Sequence, residues 1–458
     1  MSGFKGIDSA FTEATVKGGA APFTGTNGLG SETPIFRKAR PEVSLDDLLA
    51  DIQQTADLPL NQSRTLPAEV YTSDTFFDWE ARNVLRAGWL GLAHVSQIPK
   101  PGDFLNLDLL GEPLIVVHGK DGEFRVLSRV CPHRAMDIMP PGFGYDGHGP
   151  ADAKEGKPGC GHTRLFLCPY HHWSFELDGK LKACPEMHLA DGFRRDDVGL
   201  STFRCEVWHG FIFVNLDGKA GSVAEQFTEL DRDIAGWNCA DMKVVIEKEW
   251  DCPFNWKVLV ENFMECYHHL GAHCKTLQPL MPAKNTWTEA ERAHSIRVNI
   301  PLKDDVLEDM AAAYAQGTSV DFPPIRTLSA RHQKQWAVFL GQPTLLLFAG
   351  PSSMFWYRID PIGPDRSKLL TVCLANEEAL ADPEFDRKRH AQVKMLVDFH
   401  MEDMEVCTAV QRGYYATGYQ RGRLSHLEMP IWLIQRYLAA RARGTYPGID
   451  RPFAPSQR

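Results

Sequence analysis

A cysteine and a histidine occur together twice, in Cys131-Pro-His133 and in Cys168-Pro-Tyr-His171, with thirty-six residues between the two cysteines. Four metal-binding side chains in two short loops constrain the fold more than any other feature, because the loops must meet around a shared ion or cluster. Two thiolates and two imidazoles could hold a tetrahedral zinc. They could equally hold a [2Fe–2S] cluster, with both histidines on one iron and both cysteines on the other. Around them, runs such as WLGLAHV, PLIVVHG, EFRVLSRV and HGFIFVNL are rich in branched residues and broken by turns at Lys120-Asp121-Gly122 and Leu177-Asp178-Gly179. That pattern predicts a small antiparallel β domain. Cys160-Gly-His162 repeats the C-x-H spacing, but only five residues separate His162 from Cys168. Those are too few to build two separate loops, so Cys160 and His162 read as loop residues. His172 faces away from His171 in an extended loop and reads as structural. Gly142-Phe-Gly144-Tyr-Asp-Gly147 matches GxGxxG formally, yet it neither follows a hydrophobic strand nor opens a helix. A dinucleotide site there is not expected.

A second constellation is ENFMECYHHLGAH, residues 261–273, with three histidines, a cysteine and two glutamates. A metal that activates dioxygen commonly sits on two histidines and one carboxylate, with a face left open. Regular helix geometry favours His269 and His273, four apart, with Glu265 four before His269. His268 and His273 are roughly 140° apart around a helix, so that pair needs the helix to end between them. Gly271 offers such a break, since glycine takes the left-handed closing turn readily. In LVDFHMEDMEVCTAVQRG (396–413), Leu396, Phe399, Val406 and Val410 form an inward stripe at helical spacing. Asp403 lies on the stripe, whereas Glu402 and Glu405 point away from it. A buried carboxylate needs a cation or donors, so Asp403 is either a metal ligand or half of a core salt bridge.

The bulk composition narrows the class. The chain has 458 residues, 43% hydrophobic and 24% charged, with a net charge of −10. An acidic chain without a basic run has no electrostatic reason to seek nucleic acid or an anionic membrane. No apolar run approaches the roughly 20 residues that span a bilayer. The eleven cysteines are scattered over 131–407 in a long chain without an export signal, which predicts reduced thiols and a cytoplasmic enzyme. Residues 1–45 read as an irregular arm and 46–90 as a helical lead-in, with SLDDLLADIQQ a short helix capped by Ser44. Residues 91–224 form the β domain. Residues 225–458 are mixed, with helical pattern at 255–270, 381–412 and 424–443 and strands within 337–374. The expected fold class is α+β: an all-β domain inserted in a catalytic domain whose central antiparallel sheet is flanked by helices.

CPHRA and CPYHHW resemble the two ligand loops of a Rieske domain, although the stretch between them is longer than the family's usual spacing. NWKVLVENFMECYHHLGAH (255–273) resembles the iron segment of Rieske non-haem iron oxygenases, N-x-x-[D/E]-x-x-H-x-x-x-x-H. The resemblance runs from about Leu66 to Leu438 and is to the large, catalytic alpha subunit. It implies that Cys131, His133, Cys168 and His171 hold a [2Fe–2S] cluster. It further implies that His268, His273 and Asp403 hold a mononuclear Fe(II). Asp403 fits because the family places its third ligand in an acidic helix followed by V-Q, here Val410-Gln411. His269 falls on a variable position, and Glu265 becomes an acid that carries electrons from the cluster of a neighbouring subunit. Such an enzyme uses O2 and works as a homotrimer, with or without a small beta subunit. It takes electrons from a separate reductase or ferredoxin, so NAD(P)H acts only indirectly.

The implied reaction is mono- or dioxygenation of a small organic substrate, first of all an aromatic compound. The alternative is hydroxylation or demethylation of a quaternary or tertiary amine, because glutamate within E-C-Y-H resembles the branch that oxidises choline, carnitine and betaine. Residues lining the pocket are expected among 327–357, including Phe339, Phe348, Phe355 and Trp356, whose rings could cage a quaternary ammonium, although a strand of aromatics is more often plain core. Readings from other classes are a zinc-stabilised binding protein and a Rieske electron carrier without catalysis.

Overall fold

Short branched runs become antiparallel strands in the computed structural model, which describes residues 41–139, 160–289 and 294–446. The N-terminal arm up to residue 40 and the GxGxxG stretch at 142–147 lie outside the described residues. The described chain forms two compact units, Ile98–Cys205 and a larger one made of 41–97 with 206–446. This is an all-β domain inserted in an α+β domain. Strand Leu90–His94 pairs with Phe211–Asn215 in the larger unit. Phe211 and Phe213 share a buried cluster there with Trp89 and Trp356.

In the smaller unit, strands Asp103–Leu109, Glu112–His118 and Phe124–Ser128 form an antiparallel meander. Their inward residues, among them Phe104, Ile115, Val117 and Leu127, pack with Phe166, Trp173 and Phe175. Phe166–Leu167, Ser174–Phe175 and Leu181–Ala183 make a second small sheet. Cys160–His162 is a strand rather than a loop. It pairs with Asp103–Leu105, and the His162 ring lies 3.0 Å from the Asp103 carboxylate. Local spacing cannot reveal a partner 59 residues away.

The larger unit is built on a seven-stranded antiparallel sheet. Its strands are β1 (Lys243–Cys252), β2 (Trp287–Glu289), β3 (Ser295–Pro301), β4 (Gln335–Gly341), β5 (Leu345–Ala349), β6 (Met354–Gly363) and β7 (Arg366–Ala375), in the spatial order β1-β7-β6-β5-β4-β3-β2. Side chains alternate between its two faces. Ala337, Phe339, Leu347, Trp356 and Val372 enter one core cluster with Trp237 and Phe227. Val338, Phe348 and Tyr357 are their odd-numbered or even-numbered opposites and face a cavity on the other side.

Three helices matter for the site: α1 (Trp256–Met264), α2 (Phe385–Tyr415) and α3 (Met429–Ala442). Asn255 caps α1 by accepting from the Lys257 N–H at 2.9 Å, and its own N–H donates to Gln411 of α2. Lys257 is fully buried and ion-paired with Glu80 at 2.8 Å, while the Trp256 indole donates to the same carboxylate. A pair this deep is costly to break, on the order of 3–5 kcal/mol, so α1 is held rigidly in place. The helix expected within 44–54 is present as Leu45–Asp57, with Ser44 accepting from the Asp47 N–H. Among the described residues no helix is long and apolar enough to cross a membrane.

Candidate functional site

The two Cys/His loops share one backbone design. Cys131 N–H donates to the Met136 carbonyl, and Ala135 N–H donates back to the Cys131 carbonyl. Cys168 N–H likewise donates to Trp173, and His172 N–H to Cys168. The residue four after each cysteine, Ala135 or His172, takes a left-handed conformation with φ near 55° and 59°. That conformation is uncommon for residues other than glycine and is held here by the paired turn bonds. His172 therefore closes a turn. His171 is the residue that meets its counterpart, with its ring 4.7 Å from that of His133. Trp173 stacks on His133 at 4.6 Å. Arg129, buried below the first loop, pairs with Asp108 and Asp137 on either side.

Both cysteines are buried, while His133 and His171 lie nearer the surface. Burial, and then the adjacent Cys168, pushes the Cys131 thiol up to about 11. Two thiolates can coexist there at neutral pH only with a cation between them. This donor set, two buried sulfurs on one side and two imidazoles on the outer side, fits a [2Fe–2S] cluster.

In the larger unit α1 ends at Met264, earlier than the sequence predicts, and Glu265 is already extended. Its carboxylate accepts from the His268 backbone N–H at 3.0 Å and from His268 Nδ1 at 2.8 Å. This side-chain capture competes with the next helical turn. A short 3₁₀ segment, Tyr267–Leu270, follows. Gly271 has a negative φ of −106°, so it is no left-handed cap. The tighter turn brings His268 and His273 together, with ring centroids 4.9 Å apart.

Asp403, on α2, completes the cluster. Its Oδ1 lies 3.0 Å from His273 Nε2 and 3.6 Å from His268 Nε2. One ligand atom from each of the three residues falls within 4.8 Å of the others. Asp403 Oδ1 is nonetheless buried without a hydrogen bond among the described residues. The reason lies at the far ends of the two rings. His268 Nδ1 donates to Glu265 and His273 Nδ1 to Glu402 Oε2 at 2.6 Å. In the neutral rings this leaves both Nε2 lone pairs aimed with the carboxylate at one point. Burial disfavours charge on these rings, yet the nearby Glu265 and Asp403 raise His268, and Asp403 and Glu402 raise His273. Three electron-pair donors around an unshared centre fit a divalent cation with a two-histidine, one-carboxylate set.

His269, favoured by helix arithmetic, is held elsewhere. Its Nδ1 donates to the Met281 carbonyl, and burial, then His268, lowers it to about 3. The stripe on α2 also differs from expectation. Leu396, Phe399, Met404 and Cys407 are buried, whereas Val410 is 40% exposed. Glu402 does not point away, because its long side chain reaches His273 and also accepts from Thr276 at 2.6 Å. Sequence reasoning missed Glu402 and Thr276; the adjacent acidic pair Glu402-Asp403 is the only signal that could have suggested the first.

A cavity of about 50 Å3 opens over His268, His273 and Asp403, walled by Phe263, Ile300, Val338, Phe348, Tyr357 and Phe399. Of the aromatics expected there, Phe348 lines it. Phe339 and Trp356 belong to the opposite core, and Phe355, paired with Phe348 on the same face, packs beside it. Strand alternation decides this, and sequence alone does not say which face is which.

Residues 88–228 match the Rieske [2Fe-2S] domain and residues 239–444 the ring hydroxylating alpha subunit catalytic domain. The chain belongs to the Rieske oxygenases, as an alpha subunit carrying a [2Fe–2S] cluster and a mononuclear iron that works with O2. Among its relatives is the carnitine monooxygenase oxygenase subunit of Acinetobacter baumannii, 27% identical over 79% of this chain and 88% of that one. The glycine betaine monooxygenase oxygenase subunit of Chromohalobacter salexigens is 25% identical over 83% and 87%. A quaternary ammonium Rieske monooxygenase solved with L-carnitine shares the fold, with a TM-score of 0.68 at 22% identity over 88% and 100%.

Proposed function

We propose that this chain oxidises a small quaternary or tertiary amine at an Fe(II) held by His268, His273 and Asp403. Cys131, His133, Cys168 and His171 hold the Rieske cluster in this reading. The observation that carries it is the convergence of His268, His273 and Asp403 beneath an aromatic-walled cavity. The likeness to amine monooxygenases supports the substrate class. Bound there, the iron supplies O2 activation and the cluster supplies electrons. The protein's own work is positional. Glu265 and Glu402 each hold a ligand histidine by Nδ1, so that Nε2 stays directed at the metal. Phe263, Phe348, Phe399 and Tyr357 line the cavity with aromatic side chains, the residue types that attract a cation.

The electron path in this proposal enters through Glu265 from a neighbouring subunit of a trimer, and a separate reductase feeds the cluster. Substrate-dependent O2 uptake with a surrogate reductase tests the reading. Quaternary amines are expected to stimulate uptake and release a dealkylated or hydroxylated product, whereas stimulation by aromatic acids alone would contradict it. Glu402→Ala is expected to weaken iron binding about 10- to 100-fold, measured by competition with a chelator, and to leave the visible spectrum of the cluster unchanged.

A further inference from the structure

His268, His273 and Asp403 are not equally supported from behind. His268 Nδ1 is bound to Glu265 and His273 Nδ1 to Glu402, so each ring is fixed by one further side chain. Among the described residues Asp403 meets only the two ligand rings, and no third side chain donates to it. Ligating carboxylates, like ligating histidines, are ordinarily hydrogen-bonded by a neighbour that orients them. A buried donor without a partner stands on the same helix. His400 lies three residues before Asp403, on the same side of α2. It is 1% exposed, and its Nε2 is buried with no hydrogen bond among the described residues. Buried polar atoms are nearly always satisfied, and an exception calls for an explanation.

The surroundings leave His400 few other partners. Its ring packs 4.3 Å from Trp250 of β1 and 6.0 Å from Tyr357 of β6. The Trp250 indole already donates to Thr371, and Lys248 lies over the Trp250 ring at 4.6 Å. Of the charged groups that act on His400, namely Asp403, Lys248 and His273, only Asp403 is an anion. Burial outweighs its pull and lowers the imidazole to about 4, so the ring is uncharged and carries one N–H donor. A neutral donor can hold a carboxylate without placing a second positive charge beside a metal ion.

We infer that His400 is a positioning residue of the iron site, whose N–H donates to the Asp403 carboxylate in the loaded protein, directly or through one ordered water. Each of the three ligands is then held by one further side chain: His268 by Glu265, His273 by Glu402 and Asp403 by His400. This rests on the iron site proposed above. Tyr357 is the competing donor, because its hydroxyl also feels the Asp403 charge. Replacing an unsatisfied buried group by an apolar one of similar shape is nearly neutral or stabilising. A substitution that weakens iron binding without weakening the empty fold is therefore the signature of this role.

The test measures Fe(II) affinity by chelator competition on anaerobic protein that keeps its Rieske cluster, and thermal stability with the mononuclear site empty. His400→Phe should bind Fe(II) roughly tenfold more weakly. It should melt no lower than the native chain and leave the cluster absorbance unchanged. His400→Gln, which keeps an N–H donor, should bind Fe(II) as the native chain does, and so should Tyr357→Phe. A histidine with a merely structural role predicts the reverse, a lower melting temperature with native iron affinity. Native affinity in His400→Phe, an equal loss in His400→Gln, or a loss in Tyr357→Phe instead overturns the inference. If His400→Phe does not melt cooperatively, His400→Leu is read against the same expectations. If Asp403→Ala binds Fe(II) as tightly as the native chain, the iron site itself is misassigned and the inference falls with it.

Discussion

Asp403→Ala is expected to abolish substrate-dependent O2 uptake, by a factor of 1,000 or more, while the absorption of the Rieske cluster stays unchanged. Asp403 is the only carboxylate among the described residues grouped with His268 and His273. Without it two neutral imidazoles remain, a set with far less affinity for Fe(II) than two histidines and a carboxylate. Iron analysis should therefore find the mononuclear metal missing and the cluster iron retained. The packing of α2 does not depend on this side chain, because Leu396, Phe399, Met404 and Cys407 supply its buried face. Loss of activity together with loss of cluster absorbance would mean a folding defect, and retained activity would remove Asp403 from the site.

Glu265→Ala separates two roles that the geometry joins. The carboxylate holds His268 by Nδ1 and by its backbone N–H, so some loosening of iron is expected, about 10- to 100-fold in affinity. At saturating Fe(II) both metals should remain bound. Turnover is nevertheless expected to fall by at least about 100-fold, because in the proposed path the same carboxylate carries electrons in from the neighbouring subunit. Rapid mixing with reductant resolves the cause. Normal reduction of the cluster followed by stalled reoxidation identifies a broken electron path. Full activity in the iron-saturated variant would eliminate the bridge.

How much of this was legible in the sequence depends on how local each signal is. The Cys/His loops are local, since each cysteine lies within three residues of its histidine and the matching turn bonds span only four or five. The β architecture was legible for the same reason. Residues His268 and His273 were named through a motif, since helix geometry pointed to His269. Geometry failed because Glu265 captures the His268 N–H and ends the regular helix at Met264. Glu402 was misread because a helical stripe describes where Cβ atoms point, and a three-carbon side chain can swing round to His273. Cys160 and His162 joined a strand because their partner is distant in sequence. The pocket aromatics were sorted wrongly at Phe339 and Trp356, since alternation gives two faces without saying which one holds the site.

The central claim is that one chain holds a Rieske cluster and a separate iron at His268, His273 and Asp403. Metal analysis and visible spectroscopy of anaerobically purified protein test it most directly, comparing the native chain with His268→Ala. The native chain should contain about three irons and show the charge-transfer bands of a His₂Cys₂ cluster, and His268→Ala should keep those bands with about two irons. A colourless protein with stoichiometric zinc, or a His268→Ala variant with undiminished iron, would contradict it.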